Sequence, residues 1–353
     1  MTLALGQLFV FGFNGTKFPD DARDLLKKEQ ASGCILFSRN ISSLEQVVEL
    51  NSSIVAAAGK KMPAIISVDQ EGGRVQRLKD ICTVIPSMEE LARLSKSSPD
   101  LCYRTAALMG RELVSLGFNV DFAPVLDINT NPDNPVIGAR SFASKADDVA
   151  RLGAQFIRGL QGSGIAACGK HFPGHGDTSV DSHIDLPVIH HSLARLREVE
   201  FVSFKAAIEA GVEMIMTAHI KAPVIDADHP ATLSHKILHT YLRKELAFDG
   251  IIVSDDIEMR AVADRYEVPE MIELGLRAGV DLFLVCQDTQ KTALAIETAH
   301  KLVERGVISR SQIEQSLKRI EKLKAKYIGE VCAPDLIQAQ KMVRSAPHLD
   351  LFA

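Results

Sequence analysis

Eight short apolar runs recur along the chain, separated by longer segments with helical periodicity. Each run is continuously apolar instead of alternating with polar residues, which is typical of strands covered on both faces. Eight such strands alternating with helices predict the α/β class and a single (β/α)8 barrel of the TIM type. The runs are Leu8–Phe13, Cys34–Phe37, Ala64–Val68, Val120–Leu126, Ile165–Cys168, Met214–Thr217, Ile251–Val253 and Leu282–Val285.

The order of elements also predicts how the chain divides. A doubly wound sheet is the alternative architecture, but no Gly-rich phosphate-binding turn opens the first βα unit. No stretch reads as an interdomain linker. We therefore expect a catalytic barrel over residues 1–330 and a helical tail over residues 331–353, with a helix centred on Leu336–Val343.

Composition narrows the class of protein. The 353 residues carry a formal net charge of -5. The chain therefore lacks the excess of positive charge that favours binding to nucleic acid or an anionic membrane. No apolar run approaches the ~20 residues of a membrane span, and the apolar N-terminus favours a buried first strand over a signal peptide. We expect no nucleic-acid or membrane partner and a monomer.

The cysteines indicate a compartment. They are scattered without a CxxC pair, so we interpret them as reduced thiols of a cytoplasmic protein, not as a disulfide framework or a zinc site. The six are Cys34, Cys82, Cys102, Cys168, Cys286 and Cys332.

Polar residues follow five of the predicted strands directly. In a barrel of this kind the carboxyl ends of the strands meet at one mouth, where catalytic groups lie. One such residue is explained by solvation of a strand end, but five together indicate a converging site. We expect Asp255 to face the pocket and Asp256 to bond backbone or a nearby base. The residues are Asp69, Asp127, Lys170 with His171, His219, and Asp255 with Asp256.

The stretch Cys168–Pro187, CGKHFPGHGDTSVDSHIDLP, has neither helical nor strand periodicity. A polar loop of this length in a compact domain is typical of a functional site. Asp181 lies two residues before His183, and a carboxylate that accepts from an imidazole orients the ring as a proton shuttle. Metal ligation by His171, His175, His183 and an aspartate is the alternative, although the HExxH spacing is missing.

The loop after Asp69 combines acidic residues with arginines. Carboxylates and guanidinium groups suit a polyhydroxylated ligand, because a sugar hydroxyl both donates and accepts hydrogen bonds. A local salt bridge between an aspartate and an arginine of this loop is the alternative. Arg140 is ambiguous by itself, since an arginine after a glycine also caps or bridges.

Four motifs together resemble glycoside hydrolase family 3, and within it the β-N-acetylglucosaminidases of bacterial peptidoglycan recycling. The resemblance extends from the first strand to about residue 330, and the third motif is specific to the hexosaminidase branch. The motifs are DQEGGRVQRL (Asp69–Leu78), GARSF (Gly138–Phe142), KHFPGHGDTSVDSH (Lys170–His183) and SDDIEM (Ser254–Met259).

The resemblance implies a role for each matching residue. Asp255 is expected to be the nucleophile, His183 the general acid/base and Asp181 its dyad partner. Sugar contacts are expected from Asp69, Arg77, Arg140, Lys170 and His171. The implied activity is that of a retaining exo-β-N-acetylglucosaminidase acting on muropeptide fragments, without metal or other cofactor.

Three other functions stay open at this point. One is a metal-dependent barrel hydrolase that uses the histidines and aspartates of the mouth. Another is a family 3 glycosidase or phosphorylase with a different sugar preference. The third is a sugar-binding barrel without catalysis.

Overall fold

A computed structural model describes residues 3–179, 185–329 and 333–352. Eight strands form a closed barrel, as the apolar runs predict. They are β1 (Phe9–Phe11), β2 (Gly33–Leu36), β3 (Ile65–Val68), β4 (Val120–Asp121), β5 (Ala166–Phe172), β6 (Met214–Thr217), β7 (Ile251–Asp256) and β8 (Leu282–Val285).

Every barrel strand pairs in parallel with the strand before and the strand after it, and β8 closes the ring on β1. Phe9 of β1 lies opposite Phe283 of β8, and Val10 lies opposite Gly33 of β2. Because both faces of each strand are covered, all residues of β1, β2, β3, β6 and β8 are buried. The prediction of a single (β/α)8 barrel is therefore confirmed.

β6 and β8 match their apolar runs, and β1, β2 and β3 lie within theirs except at the ends. The differences in extent that bear on the mouth are those of β4, β5 and β7. β4 is shorter than predicted because Pro124 has no N–H to donate, although pairing continues beyond it: Cys168 N donates to Ala123 O at 2.9 Å and Leu126 N to Lys170 O at 2.6 Å. β5 and β7 instead extend past their apolar residues, through His171 and Asp256 respectively. Polar residues expected to follow these strands thus belong to them.

Helices surround the barrel between consecutive strands. Two of them contain π-helical turns, Leu196–Glu200 and Lys236–Glu245. The α-helices are Asp20–Lys27, Leu44–Ala58, Met88–Leu94, Leu101–Ser115, Ala146–Gly162, Leu193–Arg195, Phe201–Glu209, Arg260–Ala263, Val268–Ala278, Thr289–Glu304, Arg310–Tyr327, Leu336–Met342 and Ala346–Leu349.

The C-terminal segment contains the helix expected there, at Leu336–Met342. This helix packs on Leu44–Ala58 and Leu101–Ser115, and Ala339 at its centre is fully buried. The division of the chain near residue 330 stays a prediction.

The five described cysteines are buried free thiols, as expected for scattered cysteines, and Cys332 lies outside the described residues. None of the helices in the described ranges is long and apolar enough to span a bilayer.

The floor of the barrel contains a buried lysine. Lys324, on the helix Arg310–Tyr327, is 5% exposed. Its Nζ donates to Gln7 Oε1 at 2.6 Å and to the Ser32 carbonyl at 2.9 Å. Burial disfavours the charged ammonium and lowers the pKa of Lys324 to about 7.

Lys324 should make stability depend on pH. Between pH 7 and the unfolded lysine pKa of about 10.4, the unfolded chain binds the proton more strongly, so the free energy of unfolding rises with pH, by up to about 1.4 kcal/mol per pH unit. We expect urea denaturation from pH 7 to 8.5 to show this rise in the wild type but not in K324M. K318M, which changes an exposed lysine of the same helix, is the control and should keep the rise. Equal slopes in wild type and K324M would contradict the assignment.

Candidate active site

A cavity of about 220 Å³ opens at the mouth formed by the carboxyl ends of the strands. Residues from β3, β5, β7 and β8, or directly after them, line it, as expected for a functional site of this fold. Six of the eight residues to which the family resemblance gives a catalytic or sugar-binding role line this cavity. They are Asp69, Arg77, Arg140, Lys170, His171 and Asp255.

The other two predicted catalytic residues, Asp181 and His183, lie outside the described residues, and their roles stay predictions. His219, also expected at the mouth, is not among the residues that line the cavity. It is 1% exposed, and its Nε2 donates to the Asp256 carbonyl at 2.9 Å. This hydrogen bond connects the His219 side chain to the backbone at the end of β7.

A charged network fills one side of the cavity. Lys170 Nζ lies 2.8 Å from Asp69 Oδ1 and 2.6 Å from Glu71 Oε1. Arg140 forms a bidentate pair with Glu71, with both donor–acceptor distances 2.8 Å. Arg77 reaches Asp69 at 3.4 Å, so the salt bridge considered as the alternative is present, and Arg77 lines the cavity at the same time.

Opposite charges keep this network ionised. Burial alone would raise the pKa of the Glu71 carboxyl, but Arg140 and Lys170 outweigh burial and hold that pKa well below its usual range. The pKa of Asp69 is likewise lowered, with Lys170 and Arg77 overcoming the effect of burial. Burial would lower the pKa of Lys170, but the two carboxylates raise it above its usual value. Glu71, Asp69 and Lys170 are therefore held in their charged forms and are unsuited to carry protons near neutral pH.

The sequence alone assigned no role to Glu71. Its position in the cavity is explained by a two-stranded hairpin. Gln70–Gly72 pairs antiparallel with Val75–Gln76. Gly72 and Gly73 both have positive φ, and a Cβ on Gly72 would lie 2.7 Å from the Pro86 carbonyl oxygen. The Gly pair, weak evidence by itself, forms the turn that directs Glu71 and Arg77 into one cavity.

A second buried carboxylate, Asp127, orients His171. Asp127 is fully buried and accepts from His171 Nδ1 at 2.7 Å and from the backbone N of His175 at 2.6 Å. Burial would raise the pKa of Asp127, but His171 outweighs it and the pKa is lowered. The His171 ring is thereby fixed at the cavity wall by the kind of carboxylate–imidazole pair predicted for Asp181 and His183.

His175 also lines the cavity, although the sequence suggested it only as a metal ligand. Its Nδ1 lies 2.7 Å from Thr178 Oγ1. Burial lowers the pKa of His175 to about 4, so the ring is neutral near pH 7. Its signal in the sequence was the density of histidines in the loop after β5.

Asp255 and Asp256 end β7, and both line the cavity, but their hydrogen bonds differ. Asp255 lines the cavity and its Oδ1 accepts from Asp256 N at 2.8 Å. Asp256 Oδ1 accepts from the backbone N of Glu258 and of Cys286, each at 3.1 Å, which confirms the expected backbone contacts. Burial, assisted by the charges of Glu258 and Asp255, raises the pKa of Asp256 to about 7.

The family model described as "Glycosyl hydrolase family 3 N terminal domain" matches residues 2–323. The chain belongs to this family. A beta-hexosaminidase of Stenotrophomonas maltophilia is 38% identical over 283 residues, which are 79% of this chain and 83% of that protein. Beta-hexosaminidase A of Pseudoalteromonas piscicida is 33% identical over 334 residues, and the chain spans only 56% of its length.

The fold is shared with solved members of the family. The structure of a glycoside hydrolase family 3 beta-N-acetylglucosaminidase from a Paenibacillus species superposes with a TM-score of 0.94 at 39% identity. The match covers 99% of this chain and 67% of that one. The beta-N-acetylglucosaminidase of Thermotoga maritima superposes with a TM-score of 0.81 at 31% identity, covering 95% of this chain and 69% of that one.

Removing the ammonium of Lys170, which lies between the two carboxylates, should lower the free energy of unfolding. K170M leaves Asp69 and Glu71 with one arginine each, and we expect urea denaturation at pH 7 to show a loss of about 3–5 kcal/mol. The pairs stabilise the folded chain above the unfolded carboxyl pKa of about 4, and this contribution is lost as pH falls, so the difference between K170M and wild type should shrink on acidification.

The matched control for this prediction is K28M. Lys28 forms an ion pair with Asp24 at the same 2.8 Å distance, but on the surface. An exposed pair is screened by water, so K28M should leave the denaturation midpoint nearly unchanged. Equal effects of the two substitutions would contradict the assignment of a buried network.

Proposed function

We propose that the chain is a retaining exo-β-N-acetylglucosaminidase that removes terminal N-acetylglucosamine from a saccharide. The observation that carries this proposal is that the Asp255 carboxylate shares one cavity with the charged side chains of Asp69, Arg77, Arg140 and Lys170. Such a set suits the hydroxyls of a single sugar ring. Membership of the family and the names of the relatives support the same reaction.

The first step requires a nucleophile and an acid. Asp255 attacks the anomeric carbon, and the N–H of Asp256 that donates to Asp255 Oδ1 fixes the direction of its carboxylate. His183 protonates the departing oxygen, oriented by Asp181. Lys170, Arg77, Arg140, Asp69 and His171 bind the sugar hydroxyls and hold the ring in position for attack. A covalent glycosyl-enzyme results.

The second step reverses the proton transfer. His183 removes a proton from water, which attacks the anomeric carbon and displaces Asp255. Two inversions at the same carbon give a sugar with retained configuration. A preference for the N-acetyl group is proposed from the names of the relatives, not from these residues.

We also propose the biological setting. The substrate is a soluble muropeptide fragment of peptidoglycan, cleaved in the cytoplasm during cell-wall recycling by a monomeric enzyme. The buried free thiols agree with a reducing compartment. The resemblance of Lys170–His183 to the hexosaminidase branch supports the class of substrate.

Trapping the intermediate tests the nucleophile. Incubation with an N-acetylglucosaminide whose ring fluorine slows both steps should label the peptide that contains Asp255, as read by mass spectrometry. D255N should lower kcat/KM for a nitrophenyl N-acetylglucosaminide by at least about 10³-fold, because a carboxamide cannot take the place of the attacking carboxylate.

The matched control is D264N, which changes an exposed aspartate on the surface after the same strand. It should retain wild-type kcat/KM and remain labelled at Asp255. A label on another residue, or full activity in D255N, would remove Asp255 from the mechanism. Absence of turnover by the wild type would favour a sugar-binding barrel without catalysis.

Two further reagents separate the alternative enzyme classes. We expect kcat to survive exhaustive chelation, because the proposed steps use only side chains and water. Loss on chelation with recovery on adding a divalent metal would favour a metal-dependent hydrolase instead. Reaction in phosphate buffer should release free sugar, and accumulation of a sugar 1-phosphate would identify a phosphorylase.

A further inference from the structure

Arg77 is anchored only lightly by its own side chain. Its ion pair with Asp69 measures 3.4 Å, and its guanidinium lies 5.6 Å from the centre of the Phe37 ring. Among the described residues, its buried Nε has no hydrogen-bond partner. The position of the Arg77 guanidinium therefore depends strongly on the position of its backbone.

The backbone after Arg77 forms a turn that is fixed on two sides. The N–H groups of Ile81 and Cys82 donate to the Leu78 carbonyl at 2.9 and 2.7 Å, which closes the turn. On one side, Gln70 Oε1 of the hairpin accepts from Leu78 N at 3.2 Å. The other side of the turn faces the C-terminal segment.

Arg344 of that segment contacts the turn directly. Its Nε donates to the Cys82 carbonyl at 2.9 Å, and its Nη2 donates to the Lys79 carbonyl at 2.7 Å. One planar guanidinium thus connects two carbonyls of the same turn, a geometry that the arginine fork permits.

The buried carboxylate of Glu112 also connects the turn to the C-terminal segment. The carboxylate is 1% exposed and accepts from Thr83 N at 2.9 Å and from Thr83 Oγ1 at 2.7 Å. It also accepts from Arg344 N at 2.8 Å and from His348 Nδ1 at 3.0 Å. A buried carboxylate with four donors is a rigid connection, because losing a donor would leave charge unsatisfied.

The contact of His348 with Arg111 indicates which ring nitrogen of His348 carries the proton. Arg111 Nη2 lies 3.4 Å from His348 Nε2. A guanidinium can only donate, so Nε2 accepts and Nδ1 carries the proton that is donated to Glu112. His348 is 4% exposed, and its fixed ring closes the connection between the helix Leu101–Ser115 and the end of the chain.

We propose that Arg344 and His348 are positioning residues for substrate binding, which fasten the turn Leu78–Thr83 and thereby fix Arg77 at the cavity. The C-terminal segment then acts on the site from outside the mouth. This role rests on the proposed function, because Arg77 is a sugar contact only if the cavity binds a sugar. The contacts that hold the turn in place exist whether or not the protein has an enzymatic activity.

The first experiment measures the turn without substrate. R344A removes both side-chain contacts but keeps a Cβ at the positive φ of position 344 and the N–H that reaches Glu112. Hydrogen exchange of the Ile81 and Cys82 amides should accelerate roughly tenfold in R344A. K341A, an exposed change on the adjacent helix, should leave these rates unchanged. Unchanged rates in R344A would overturn the proposal, whether or not the protein hydrolyses a glycoside.

The second experiment asks whether the effect passes through Arg77. With a nitrophenyl N-acetylglucosaminide, R344A should raise KM roughly three- to tenfold with little change in kcat, because a ground-state contact is misplaced. In an R77A background, adding R344A should raise KM no further, since the residue that it positions is gone.

The outcomes separate this proposal from a purely structural role and from the proposed function. An equal rise of KM in both backgrounds, or a fall in kcat alone, would show that Arg344 acts elsewhere and overturn the proposal. If the wild type shows no turnover, the proposed function fails, and hydrogen exchange still decides whether the segment fastens the turn.

Discussion

Lys170 lies between two carboxylates, and the arrangement of the mouth depends on this contact. Asp69 follows β3, Glu71 belongs to the hairpin and Lys170 belongs to β5, so three parts of the chain converge on one ammonium. Removing such charges from water is costly unless each finds a partner. Arg140 provides a second positive charge beside Glu71. The four side chains hold one another in place, because moving any of them would leave the charge of another buried without a partner.

The fold was predictable because its signal is local. A strand covered on both faces needs a continuous apolar run, and all eight runs became barrel strands. The mouth was predictable for a related reason: parallel strands bring their carboxyl ends together, so Asp69, Lys170 and Asp255 had to approach one another once the barrel was accepted.

The features that the sequence did not predict depend on contacts between residues that lie far apart in the chain. Glu71 is an ordinary acidic residue in the sequence, and its pairing with Arg140 joins residues far apart in the chain. Asp127 was predicted at the mouth, but the sequence did not predict that its carboxylate would accept from His171 Nδ1. The extents of β5 and β7 were underestimated because polar residues end apolar runs but not hydrogen-bond ladders. The contact of Arg344 with the turn after Arg77 has no periodic signal at all, since it joins two irregular segments.

The placement of Lys170, His171 and Asp255 within strands has an evolutionary consequence. Strand positions are set by the closed ladder of the barrel, whereas loops at the rim accept insertions and exchanges without disturbing it. In the proposed function, Lys170, His171 and Asp255 are thus tied to the scaffold, whereas the other proposed sugar contacts, Asp69, Arg77 and Arg140, lie outside the barrel strands. Under that proposal, loops at the mouth can change, and with them the leaving group that is accepted, while the strand residues that contact the monosaccharide stay in place.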